Sequence, residues 1–97
     1  MRTMLRITIP VDTGNEAIQD GTIQKVVSET LERLRPEAAY FLAEQGDRAA
    51  MFVFDLKDSS DIPSIAEPFF ARLNASVEFT PVMNADDLKK GLEKVRK

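Results

Sequence analysis

The chain has 97 residues, 43% of them apolar and 30% charged, and its 13 basic and 16 acidic side chains leave a net charge of −3. That is one ordinary core, with residues 1–97 read as a single domain. It holds no cysteine and no histidine, which excludes disulfides, thiolate chemistry, sulfur-ligated zinc, histidine-ligated haem and every Ser-His-Asp or Cys-His arrangement.

The acidic balance argues against a nucleic-acid partner. No apolar run approaches the roughly 18 to 20 residues that cross a bilayer, so no membrane partner is expected. The alternation of residues 5–11 does not resemble a secretory leader, and the expected location is cytoplasmic.

In chain order, Leu5, Ile7, Ile9 and Val11 alternate with Arg6, Thr8 and Pro10, which predicts a strand with one buried face. Asp12, Thr13, Gly14 and Asn15 read as turn and N-cap residues. Ile18, Ile23, Val26, Val27, Leu31 and Leu34 then form the stripe of a long helix, with a weak point at Asp20-Gly21-Thr22 and an end before Pro36. Residues 38–43 and 49–56 are apolar on both alternating sets, and Gly46 between them suits a hairpin turn. Such strands need cover on both sides.

Ser60 or Asp61 reads as the N-cap of a second helix, with Pro63 in its first turn. The stripe Ile62, Ile65, Ala66, Phe69, Phe70, Leu73 continues through Pro68, where a kink or local irregularity is expected. Asn74 suits a left-handed C-cap. Val77, Phe79 and Pro81 predict a fourth strand, whose proline suits an edge position or a strand end. Asn84 and Asp87 have the spacing of a capping box before a last helix along Leu88, Leu92 and Val95. The basic residues near its end, Lys89, Lys90, Lys94, Arg96 and Lys97, suit the helix dipole.

This order is the βαββαβ pattern of an α+β, ferredoxin-like sandwich with a C-terminal helix. Right-handed crossovers put both main helices on one face of a four-stranded antiparallel sheet, in the order fourth, first, third, second. Arg6, Thr8, Glu78 and Thr80 then share the opposite face. Parity does not decide between Tyr40, Leu42 and Glu44 or Phe41 and Ala43 on that face, nor between Met51, Val53 and Asp55 or Phe52, Phe54 and Leu56. Either choice leaves apolar surface that a second copy of the chain would cover, so a homodimer is expected.

The run from Lys57 to Pro63, the Glu67-Pro68-Phe69-Phe70 step and the stretch from Val77 to Met83 resemble the second half of dimeric α/β-barrel proteins. The first half, with Gly14-Asn15, the long helix, the stretch from Pro36 to Phe41 and the Gly46 hairpin, is similar to small bacterial members of that superfamily. The resemblance implies a ferredoxin-like protomer that pairs as a dimeric α/β barrel with a ligand cavity. The superfamily includes muconolactone isomerases, cofactor-independent monooxygenases and haem-handling enzymes. Without histidine, the haem chemistry does not transfer.

Five residues are candidates for lining a pocket. Arg6 and Asp55, if cross-strand neighbours, could orient a carboxylate or enolate. The Tyr40 hydroxyl could donate to a ligand carbonyl. Glu67 and Glu78 are the carboxylates closest to where a cavity would lie, and burial would be needed to make either a base. Each has an ordinary alternative as surface charge or packing, and Asn15 reads first as a helix cap. Residues 48–54 faintly echo an RNA-recognition strand but lack its glycine and first aromatic. Asp55, Asp58 and Asp61 lack the spacing and glycine of a calcium loop. Neither a metal nor a cofactor is expected. The expected function is a homodimeric domain that binds a small molecule or serves in assembly; the alternative is a cofactor-independent isomerase- or monooxygenase-type enzyme built on carboxylate, Arg and Tyr.

Overall fold

A computed structural model describes residues 1–96. Strand β1 spans Arg2–Ile9 and is followed by helices α1, Val11–Gln19, and α2, Thr22–Leu34. The hairpin of β2, Ala38–Glu44, and β3, Asp47–Asp55, leads through a short 3-10 turn, Ser59–Asp61, into α3, Ile62–Leu73. Strand β4, Ser76–Pro81, and helix α4, Ala85–Val95, complete the chain. The sheet order is β2-β3-β1-β4 and every pairing is antiparallel. This is the α+β, ferredoxin-like arrangement that the element order predicts.

Register decides which side of each strand is covered. Thr3, Leu5, Ile7 and Ile9 of β1 are buried, and opposite the first three on β3 stand Phe54, Phe52 and Ala50, also buried. With Val26 of α2 and Ile65, Phe69 and Leu73 of α3 they form the core. Arg2, Met4, Arg6 and Thr8 point to the other face of the sheet, which carries no helix layer.

The first helical region differs from expectation at its start. Residues 12–15 are not a turn: helix α1 starts at Val11, the extended Pro10 (φ −57, ψ 146) is its N-cap residue, and the Pro10 carbonyl accepts from the Gly14 N–H at 2.8 Å, so that Gly14 and Ala17 face inward. Asn15 is therefore inside α1 rather than capping it, and its Oδ1 accepts from Nη2 of Arg48 at 3.1 Å. The weak point is a full break. Gly21, at φ 83, takes the left-handed conformation that separates α1 from α2, a region an L-residue enters only at a cost.

The β2–β3 turn is the two-residue loop Gln45-Gly46 with positive φ at both positions, 49° and 86°. That sign matches the twist of a tight hairpin. At the end of α3, Asn74 is left-handed as expected, at φ 51. Asp61, one of the two expected N-cap residues, holds that position for α3 without a side-chain cap bond, and Asp58 accepts from the backbone N–H of Ser60 to cap the 3-10 turn that precedes it.

Helix α3 runs on through Pro68. A proline there has no N–H to offer the carbonyl four residues back, that of Ser64. Arg33 of α2 fills the vacancy: Nη1 donates to the Ser64 carbonyl at 3.0 Å and Nη2 to its hydroxyl at 2.7 Å. One guanidinium thus repairs the helix and joins α2 to α3.

Helix α4 opens on the expected capping box. Asn84 Oδ1 accepts from the Asp87 N–H at 2.8 Å, and Asp87 Oδ2 accepts from the Asn84 N–H at 3.1 Å. Beyond this cap the helix packs only marginally on the rest of the chain. Leu88, Leu92 and Val95 are 47%, 54% and 78% exposed. The molecule measures 55 × 28 × 17 Å, with a radius of gyration of 15.4 Å where a compact chain of this length would have about 12.5 Å.

Candidate functional site

The open face of the sheet brings three of the five candidate residues into one line. Tyr40 on β2 stands opposite Met51 on β3, Met51 opposite Arg6 on β1, and Arg6 opposite Glu78 on β4. Strands about 4.8 Å apart make this row roughly 14 Å long, the scale of a small organic molecule lying across the sheet. Ala38, Val53, Met4 and Thr80 flank it on one side, and Leu42, Ala49, Thr8 and Ser76 on the other. The floor is apolar toward β2 and β3 and polar toward β4.

Arg6 is the centre of charge. Its guanidinium pairs with Glu44 at the end of β2, and this hydrogen bond holds Arg6 protonated more firmly than usual, with Glu78 adding a weaker pull. Reciprocally, Arg6 lowers the Glu44 carboxyl below the ordinary range. Glu78 has no hydrogen-bond or ion-pair partner among the described residues. It remains an exposed acceptor beside a half-buried cation, and Tyr40 presents its hydroxyl at the far end of the row. Such a row can hold a molecule with an apolar body, an acceptor for Arg6 or Tyr40 and a donor for Glu78.

The other two candidates lie elsewhere. Asp55 is not the neighbour of Arg6; it stands opposite Arg2 at the end of the sheet. There Oδ1 accepts from the α-ammonium of Met1 at 2.8 Å and Oδ2 from Lys57 at 2.9 Å, contacts that bring its pKa down to about 2. Glu67 is on the exposed side of α3, in the helix layer. The residue that sequence reasoning did not select is Glu44. Its parity with Tyr40 and Leu42 was the available signal, since one strand face carries all three.

Arg2 forms a second node on the same face. Its Nε donates to Glu37 at 2.6 Å and its Nη1 to Asp87 at 2.5 Å, which fastens the cap of α4 to the sheet. A small cavity of about 100 Å3 lies in the helix layer between α2 and α3, against Val26, Thr30, Ile65 and Pro68. The Thr30 hydroxyl there is occupied, donating to the Val26 carbonyl at 2.7 Å. Among the described residues no group of three or more carboxylate, His or Cys side chains is placed to hold a metal ion, and no helix is long and apolar enough to cross a membrane.

No protein-family model matches the chain, and no curated protein matches it in sequence.

Proposed function

We propose that the chain is a self-pairing binding module. Two copies meet through the open faces of their sheets, as in a dimeric α/β barrel, and the Tyr40–Met51–Arg6–Glu78 row of each lines an enclosed site for a small, largely apolar molecule with hydrogen-bonding groups. The observation that carries this reading is the open face itself, where Met4, Tyr40, Leu42, Met51 and Val53 surround a half-buried Arg6 with no helix above them. An apolar surface of that kind on a small chain favours association, and enclosure would strengthen each polar contact of the row by removing water.

The test is light scattering on the purified chain, combined with mass spectrometry under non-denaturing conditions on protein drawn from its native extract. The expected mass is twice 10.9 kDa, with a small molecule retained. Met51→Asp, which sets a charge in the centre of the face, should yield the monomer, and Arg6→Ala should keep the dimer but lose the retained molecule. A wild-type monomer at micromolar concentration, or a dimer that retains nothing, overturns the proposal.

A further inference from the structure

Helix α4 carries an apolar stripe that its own chain does not cover. Leu88, Leu92 and Val95 follow at intervals of four and three, so they lie along one side of the helix. All three are exposed, as is Met83 in the segment that leads into it. Strand β2 has the complementary deficiency. Its residues Tyr40, Phe41 and Leu42 are all exposed, alternate ones on opposite faces. Phe41 points to the helix side, edge-on to Phe52 with ring centres 5.8 Å apart, yet it is 56% exposed whereas Phe52 is 0%. The helix layer therefore stops short of β2 and leaves Phe41 without a helix over it.

The chain's own α4 is badly placed to cover Phe41. It follows β4, at the opposite edge of the sheet from β2, after the three residues Val82, Met83 and Asn84. From Pro81 to Ala85 the extended chain reaches at most about 14 Å, no more than the roughly 14 Å between the edge strands, and α4 makes no substantial contact with β2. Arg2 holds the cap of α4 through Asp87, and Arg2 shares the open face with Met4 and Arg6. The helix therefore starts on the side where a second copy would sit.

The surface area points the same way. The chain exposes 6587 Å2, against about 5,600 Å2 for a compact monomer of its mass. The excess, about 1,000 Å2, is close to the roughly 800 Å2 that each partner contributes to a standard interface.

We infer that α4 is an exchange arm, which passes round the β2 edge of a second copy of this chain and packs its Leu88–Leu92–Val95 stripe on the helix side of that strand, over Phe41. This rests on the self-pairing reading above and adds which element crosses and where it lands. Both arms are then buried reciprocally, and each protomer's thinnest layer is completed by the other.

The chain has no cysteine of its own, so introduced pairs report directly. Two differently tagged preparations, Leu92→Cys and Phe41→Cys, are mixed, exchanged and oxidised. The expected product is the mixed disulfide, in clear excess over the products of either variant alone. Leu92→Ala, at an exposed site that leaves the fold intact, should weaken the dimer about tenfold by light scattering on dilution. If the wild type is a dimer but no mixed disulfide forms, or Leu92→Cys cross-links chiefly to itself, the arm placement is wrong and the paired-sheet reading stands. If the wild type is a monomer, both fall.

Discussion

Single side chains in this protein satisfy groups that the local sequence leaves open. The clearest is Arg33, which donates to the Ser64 carbonyl that Pro68 deprives of its helical partner. Truncating Arg33 to Ala should cost about 0.5 to 1 kcal/mol, the net worth of a partly solvated hydrogen bond. In a Pro68→Ala background most of that cost should vanish, because residue 68 then supplies the missing N–H itself. Urea unfolding of the two single variants and the double variant measures the coupling; equal costs in both backgrounds would show that Arg33 does not act through the Ser64 carbonyl but through its hydroxyl or through surface charge. Arg6 works similarly on the open face, where its pairing with Glu44 leaves the neighbouring Glu78 available. The sequence placed Arg6 and Glu78 on one face by parity. It could not show that Asp55 is out of reach, because a four-residue difference in register, Arg2 rather than Arg6 opposite Asp55, changes no local pattern.

At the level of elements, most boundaries follow from local chemistry. Gly21 and Gln45-Gly46 supply the positive φ that a helix break and a tight hairpin require, and Asn84 with Asp87 starts α4. The last of these makes α4 sensitive to acid. The Asn84 backbone N–H first, and Arg2 with it, hold the Asp87 carboxyl below its ordinary value of about 3.9. A depressed folded pKa stabilises at pH above the unfolded value, and the contribution is lost as pH falls through the lower folded one. The Asp87 and Leu88 amides should therefore exchange faster, relative to their intrinsic rates, as pH drops below about 4. In Asp87→Asn that pH-dependent loss should be absent; hydrogen exchange followed by NMR distinguishes the two. The start of α1 was not legible, because Asp12, Thr13, Gly14 and Asn15 have turn propensity, and their helical state shows only in the backbone bond from the Gly14 N–H to the Pro10 carbonyl.

For the molecule as a whole, the outstanding feature is asymmetry between a packed half and a bare half. The helix side of β1 and β3 is closed over Leu5, Ile7, Phe52 and Phe54, while β2, the open face and α4 remain exposed. If two copies complete one another, stability must depend on concentration. A tenfold dilution should remove about 1.4 kcal/mol of dimer stability and lower the melting temperature by several degrees. Met51→Asp should melt at the same temperature at every concentration. Calorimetry over a hundredfold range of protein settles the point, and a wild-type melting temperature that ignores dilution would contradict association through this face.

By itself the sequence determined the order of elements, the strand order they imply, and the exclusion of cysteine and histidine chemistry. Each depends on residue types and on periods of two or 3.6 that are written locally. The tertiary structure alone decided which set of β2 and β3 faces the helices, because both sets are apolar and only the register of Phe41 and Phe52 against β1 breaks the tie. It alone decided that Tyr40, Arg6 and Glu78 share one row, and that α4 stands away from the body with its leucines bare. Those facts depend on distances between strands and helices far apart in the chain, which no local pattern records.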